Sequence, residues 1–161
     1  MDLRCPGAHP KFTPMHDVCE MPRQNASSDE VRRILETART IAVVGLSDKP
    51  DRDSYRVAAY LQGQGYRILP VNPNLTEILG ERAYGSLRDV PVPIDVVDIF
   101  RRPEAVPAIV ADAIAVGAKA VWMQDGIVHN AAAEEARAAG LTVVMSKCLL
   151  REHRAWRAAA A

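Results

Sequence analysis

Ile41-Ala42-Val43-Val44-Gly45-Leu46-Ser47-Asp48-Lys49-Pro50 decides how the chain reads. Ile41 to Val44 form a short apolar run suited to a strand buried on both faces. Gly45 and Ser47 make a tight turn, and Asp53-Ser54 open a helical pattern. Strand, turn and helix in this order begin a doubly wound nucleotide-binding fold. Its turn amides and helix N-terminus face an anionic ligand.

The neighbouring segments continue the alternation. Upstream, Ser27 or Ser28 caps a helix whose apolar face is Val31, Ile34, Leu35 and Ala38. Downstream, a helix over residues 54–64 stops at Gly65. Strand two covers residues 67–71 and is closed by Asn72-Pro73. Pro70 lacks an N–H, which suggests a ladder already ending at the ligand edge. Residues 74–93 are less regular. Strand three, residues 94–100, leads through Arg101-Arg102-Pro103 into an amphipathic helix on Val106, Ile109, Val110, Ala113 and Ile114. Strand four, residues 119–123, precedes Gln124-Asp125-Gly126 and an alanine-rich helix over 130–139. Strand five, residues 141–145, and a helix over 148–158 end the pattern. The expectation is an α/β, Rossmann-like doubly wound parallel five-stranded sheet with helices on both faces. A strand order 3-2-1-4-5 puts the ligand crevice outside the strand carboxyl ends, beside strand one.

A chain of 161 residues is a one-domain length, with residues 27–161 forming the domain. Residues 1–26 carry Pro6, Pro10, Pro14 and Pro22 without a period and read as a loosely ordered arm. Cys5, His9, His16 and Cys19 lie in this arm, but their order matches no standard zinc finger, so no metal site is assigned. Twenty basic and twenty acidic residues cancel, giving no global field toward nucleic acid or an anionic membrane. No apolar run approaches the roughly 20 residues of a membrane span. The N-terminus lacks a signal-peptide core, and three cysteines suit a reducing compartment. These features place the chain in the cytoplasm.

The turns narrow the ligand. A dinucleotide fingerprint needs Gly-x-Gly-x-x-Gly after strand one and an acidic residue ending strand two. Gly45-Leu46-Ser47-Asp48 and Val71-Asn72-Pro73 supply neither, and no Walker loop is present. What remains is Ser47, Lys49, Arg52 and Ser54 around a helix N-terminus, a set suited to phosphate, although Ser54 can equally serve as a helix cap. Arg101 and Arg102 offer a second, bidentate grip. Phe100 and Pro73 can sandwich a base or belong to the core. No nucleophile–base constellation emerges. Cys148 and His153 are five apart on one helix and face apart, and His153 with Glu152 reads as a surface or packing pair. Asp95 and Asp98 point to opposite sheet faces, and His129 reads as a loop residue.

Ala42-Val43-Val44-Gly45-Leu46-Ser47-Asp48, followed by Pro50-x-Arg52-x-Ser54-Tyr55, resembles the small bacterial and archaeal coenzyme A-binding proteins. Val71-Asn72-Pro73, Ile78-Leu79-Gly80, Phe100-Arg101-Arg102-Pro103 and Trp122-Met123-Gln124 match the same family, as does Val144-Met145 with Cys148, Glu152 and His153. That family is similar to the coenzyme A-binding domain of the succinyl-CoA synthetase α subunit. The resemblance implies a non-catalytic module for coenzyme A or an acyl-CoA. Gly45, Ser47, Lys49, Arg52 and Ser54 would receive phosphates, and Val71, Asn72 and Pro73 would border adenine and ribose. Phe100, Arg101, Gln124 and Gly126 would line the pantetheine path. The alternative is an NAD(P)- or acyl-CoA-dependent enzyme using the same crevice. A homodimer or a partner enzyme is compatible with either.

Overall fold

The computed structural model describes residues 20–161. The Cys5, His9, His16 and Cys19 set of the arm lies outside them. Helix α1 (Ser28–Thr37) begins with a reciprocal cap. The Ser27 hydroxyl accepts the Glu30 N–H, and the Glu30 carboxylate accepts the Ser27 N–H. Strand β1 (Thr40–Val44) leads into α2 (Asp53–Gly63), then β2 (Arg67–Val71). A small hairpin of β3 (Glu77–Ile78) and β4 (Glu81–Arg82) and a 3₁₀ turn at Leu87–Asp89 precede β5 (Val96–Ile99). The chain then alternates through α3 (Val106–Ala115), β6 (Ala120–Met123), α4 (Asn130–Ala138), β7 (Thr142–Val144) and α5 (Leu149–Ala160).

The doubly wound parallel sheet is as expected, but its strand order is not. Its five strands run β2-β1-β5-β6-β7. Since β5 is the third strand of the sequence reading, the expected order 3-2-1-4-5 is corrected to 2-1-3-4-5. Val43 of β1 pairs with Pro70 on one side and Asp98 on the other. Pro70 explains why β2 takes the edge. Its carbonyl points away from β1 and accepts the Tyr84 N–H at 2.9 Å, so its nitrogen also faces outward. The Asn72 N–H donates to Tyr84 O at 2.9 Å, completing a one-residue bridge that never asks Pro70 for a donor. An internal strand would have needed that N–H. The ladder therefore runs through Pro70 rather than ending there.

Winding reverses at β1. Helices α1, α2 and α5 pack on Ile41, Val43, Ile68, Val96, Trp122 and Val144. The other face, with Ala42, Val44, Leu69, Val97, Ile99 and Val121, is covered by α3, α4 and the Leu87 turn. Residue parity along each strand assigns the faces. Crossovers in opposite directions lie on opposite faces because each is right-handed.

Residues 20–26, expected to pack loosely, are anchored by two asparagines. Asn130 at the start of α4 accepts the Arg23 N–H at 2.9 Å and donates to Met21 O at 2.9 Å. Asn25 pairs with Met145 as a neighbouring strand would, giving an N–H to Met145 O and accepting the Met145 N–H, both at 2.9 Å. His129, read as a loop residue, caps α4 by accepting the Ala132 N–H at 3.1 Å. Among the described residues no helix is long and apolar enough to cross a membrane. Asn130→Ala is expected to cost about 1–2 kcal/mol, because it removes the hydrogen bonds by which a buried amide holds residues 20–26. Urea unfolding measures that loss, and faster tryptic cleavage at Arg23 locates it.

Candidate functional site

The site grows from one crowded turn. Gly45 has φ +86°, and a Cβ there would stand 2.6 Å from the Phe100 carbonyl oxygen and 2.9 Å from Arg101 Cδ. Both conformation and space therefore demand glycine. Its N–H donates to Val71 O at 3.0 Å, so the ends of β1, β2 and β5 meet here. This is the point where the winding reverses, and it exists only in the corrected strand order.

The polar residues of the turn mostly hold the turn itself. Ser54 is the second residue of α2 and is buried; its hydroxyl accepts the Ser47 N–H at 3.0 Å. The Ser47 hydroxyl accepts the Lys49 N–H at 3.1 Å. Asn72 donates to Leu46 O at 3.0 Å and accepts the Asn74 N–H at 2.9 Å, tying the loop to the end of β2. Ser54 is thus no helix cap. Arg52 occupies the N-cap position and contributes no side-chain cap, so the first amides of α2 lack intrahelical acceptors. These amides carry the positive end of the helix dipole. Lys49, Arg52 and Pro73 are exposed, and Val71 is buried.

Beside this turn lies a cleft of about 930 Å³, between α2 and α5 and over the ends of β5 and β6. Phe100, Ile127, Cys148 and Leu150 give it apolar walls. Arg56, Arg101, Arg102, Arg151 and Arg154 line it as well. Arg56 pairs with Asp53, Arg151 with Asp125 at 2.5 Å, and Arg154 lies 5.1 Å from the Tyr60 ring centroid. Arg101 and Arg102 meet no carboxylate among the described residues. Cationic walls around an apolar interior concentrate anionic ligands. Of the residues expected to bind, Phe100, Arg101 and Gln124 line the cleft, whereas Gly45, Ser47, Lys49, Arg52, Ser54, Val71, Asn72 and Pro73 form or flank the adjoining turn. Gly126 joins neither; its N–H donates to Ser146 Oγ at 3.1 Å.

Two titratable residues lie deeper than the sequence reading places them. His153 is not a surface partner of Glu152: it is buried, with Nδ1 2.8 Å from the Tyr60 hydroxyl and its ring edge-on to Tyr60, Tyr66 and Trp156. Burial, reinforced by Arg157, pushes its pKa down. Cys148 precedes α5 and lines the cleft, well apart in role from His153. Asp98 is fully buried. Burial raises its pKa to about 7, against the opposing hydrogen bond from Gln124. Gln124 Nε2 donates to Asp98 Oδ1 at 2.7 Å, and Asp98 Oδ2 has no partner. The sequence signal was present: Asp98 is an acid inside the apolar run from Val96 to Ile99. Among the described residues no cluster of metal-ligating side chains occurs.

Residues 39–154 match the family model described as CoA binding domain. The chain belongs to that family. It is 42% identical over 130 residues to the uncharacterized protein YneT of Bacillus subtilis, covering 81% of this chain and 96% of that one. A hypothetical protein from Pyrococcus horikoshii superposes with a TM-score of 0.81 at 39% identity, covering 86% of this chain and 97% of that chain. An ADP-forming acetate–CoA ligase of Archaeoglobus fulgidus is 30% identical over 83 residues, half of this chain but only 12% of the ligase.

The Asp98 environment gives stability a pH dependence. A raised folded pKa means that the folded state holds the proton more tightly than the unfolded chain does. That contribution is complete below pH 3.8 and is lost as pH rises through about 7. The interval sets a ceiling of roughly 4 kcal/mol. Asp98→Asn mimics the neutral acid and should therefore be progressively more stable than wild type from pH 4 to pH 8. Urea midpoints of both proteins across that range check it; a pH-independent difference would contradict a buried neutral Asp98.

Proposed function

We propose that this protein binds coenzyme A or an acyl-CoA, in the cytoplasm, and leaves chemistry to a partner enzyme. The observation that carries the reading is the uncapped N-terminus of α2 opening beside an arginine-lined cleft with apolar walls. A coenzyme A molecule presents matching parts: phosphates for the amides and cations, and a long, mostly uncharged arm for the cleft. The phosphates would lie against the Gly45–Ser47 turn, the first amides of α2, Lys49 and Arg52, with Arg101 as a second grip. Val71, Asn72 and Pro73 would border adenine and ribose, and the arm would pass Phe100 toward Gln124.

Family membership supports the ligand class, and the similarity to an acetate–CoA ligase of Archaeoglobus fulgidus supports a chemistry supplied by other domains or chains. A purely binding role is supported by the engagement of the His153 ring in packing against Tyr60, Tyr66 and Trp156 and in a hydrogen bond with the Tyr60 hydroxyl. An NAD(P)-dependent reading lacks an acidic residue at the end of β2.

Isothermal titration with coenzyme A, NAD and NADP tests the proposal. Saturable binding of coenzyme A, weakened by salt as exposed ion pairs are screened, is the expected result. Binding of NAD with coenzyme A silent would overturn it. Ser47→Asp places a negative charge at the phosphate turn while keeping an acceptor for the Lys49 N–H. It should weaken coenzyme A at least about thirtyfold, with the urea midpoint preserved.

A further inference from the structure

A second hollow lies between α5 and the C-terminal ends of α1 and α2, and it shares no lining residue with the arginine-lined cleft. Its volume is about 200 Å³. At a share of about 30 Å³ per water molecule, that is room for a ligand of roughly half a dozen non-hydrogen atoms. His153 supplies its buried polar group. The ring is 2% exposed, and its Nδ1 is engaged by the Tyr60 hydroxyl at 2.8 Å. Nε2 has no hydrogen-bond partner among the described residues, yet the sealed, unpartnered side-chain atom there is Asp98 Oδ2 and not this nitrogen. Nε2 therefore opens on the hollow that its ring lines. Burial favours the neutral ring, and a phenol hydroxyl donates readily to a neutral imidazole nitrogen. With Nδ1 accepting from Tyr60, the ring hydrogen sits on Nε2 and faces the hollow.

The charges around this N–H are uneven. Arg39 and Arg157 line the hollow and meet no carboxylate among the described residues. Arg39 donates through Nη1 to the carbonyls of Glu36 and Ala38, at 3.4 and 3.2 Å, and so answers the negative end of α1. Arg157 lies 5.9 Å from the Trp156 ring centroid and makes no other described contact. The lining carboxylate, Glu36, is 3.8 Å from Arg32. We propose that the hollow is a second ligand site, for a short-chain monocarboxylate, held by the Arg157 guanidinium and His153 Nε2–H with its alkyl tail against Tyr66 and Trp156. Phosphate suits the place less well. The donors are one uncommitted guanidinium and one neutral N–H, and two helix C-termini present their carbonyl ends nearby. A dianion would lose more hydration there than these groups replace, whereas a tail of two or three carbons gains by leaving water.

Trp156 lines the hollow while Trp122, the other tryptophan, is fully buried in the sheet, so Trp156 emission reads binding. The experiment titrates sodium butyrate, and inorganic phosphate in parallel, into the full chain at an ionic strength held constant with chloride. Butyrate should change the emission saturably at millimolar concentrations, and the His153 Nε2–H resonance should shift with the same midpoint. Arg157→Gln, at an exposed position, should weaken butyrate at least about tenfold. His153→Phe keeps a ring for Tyr66 and Trp156 and should weaken it about fivefold, with urea midpoints checking the fold. Saturating coenzyme A should leave butyrate bound, since the two sites share no residue. Absence of a saturable response, an equal response to phosphate, or unchanged affinity in Arg157→Gln would overturn the assignment. Displacement of butyrate by coenzyme A would also overturn it, by putting the carboxylate in the cleft.

Discussion

The fold turns on a contact that admits no side chain. Gly45 passes so close to the carbonyl of Phe100 that an added Cβ would stand 2.6 Å from it. Such an approach requires β1 and β5 to be adjacent, which fixes the reversal of winding between them. It also requires a positive φ, which aims the following loop toward α2 rather than along the strand. The amides of α2 and the cleft beyond Phe100 are thereby brought to either side of one point. Open α/β sheets bind ligands where their winding reverses. In this chain that reversal and the closest backbone approach coincide.

Much of this was legible in residues. The run Ile41–Val44, the helical faces of α1 and α3, and the turns after each strand were read correctly as α/β. Strand order is legible too, once the consequence of a proline for its neighbours is drawn. Pro70 cannot donate to a ladder, so a strand that contains it belongs at an edge, and an edge β2 is incompatible with order 3-2-1-4-5. The irregular segment 74–93 is a second hint. It carries a hairpin and a 3₁₀ turn where a helix would normally cross. Periodicity identifies elements but is silent about which neighbours they take, whereas missing donors constrain neighbours directly.

Asp98 shows a different limit. Strand parity puts Asp95 and Asp98 on opposite faces, but parity gives no depth, and the structure buries Asp98 completely between its register partners Val43 and Trp122. A carboxyl in that position is costly when charged and is held close to neutral. The opposing case is the set of arginines around the cleft. The chain's net charge is zero, so composition excludes any long-range attraction of anions, yet five guanidinium groups share one cleft with two carboxylates. Net charge averages over a surface, while a ligand samples only a few ångströms of it.

The site also divides its polar groups in a way that side-chain identity conceals. Ser47, Ser54 and Asn72 look like ligand contacts because their types suit phosphate and ribose. In the structure their side chains are spent on Lys49, Ser47, Leu46 and Asn74, where they hold the loop in shape. The groups left for an anion are backbone amides at the start of α2 and cations on exposed side chains. Backbone donors are fixed by the fold and lose little freedom on binding, whereas lysine and arginine must be ordered when a ligand arrives. The serines and the asparagine therefore serve affinity indirectly, by keeping the rigid half of the site rigid. Removing such a hydroxyl should disturb the loop as much as the ligand. A charge added at the turn acts differently, since it opposes the phosphate while leaving the loop's acceptor in place.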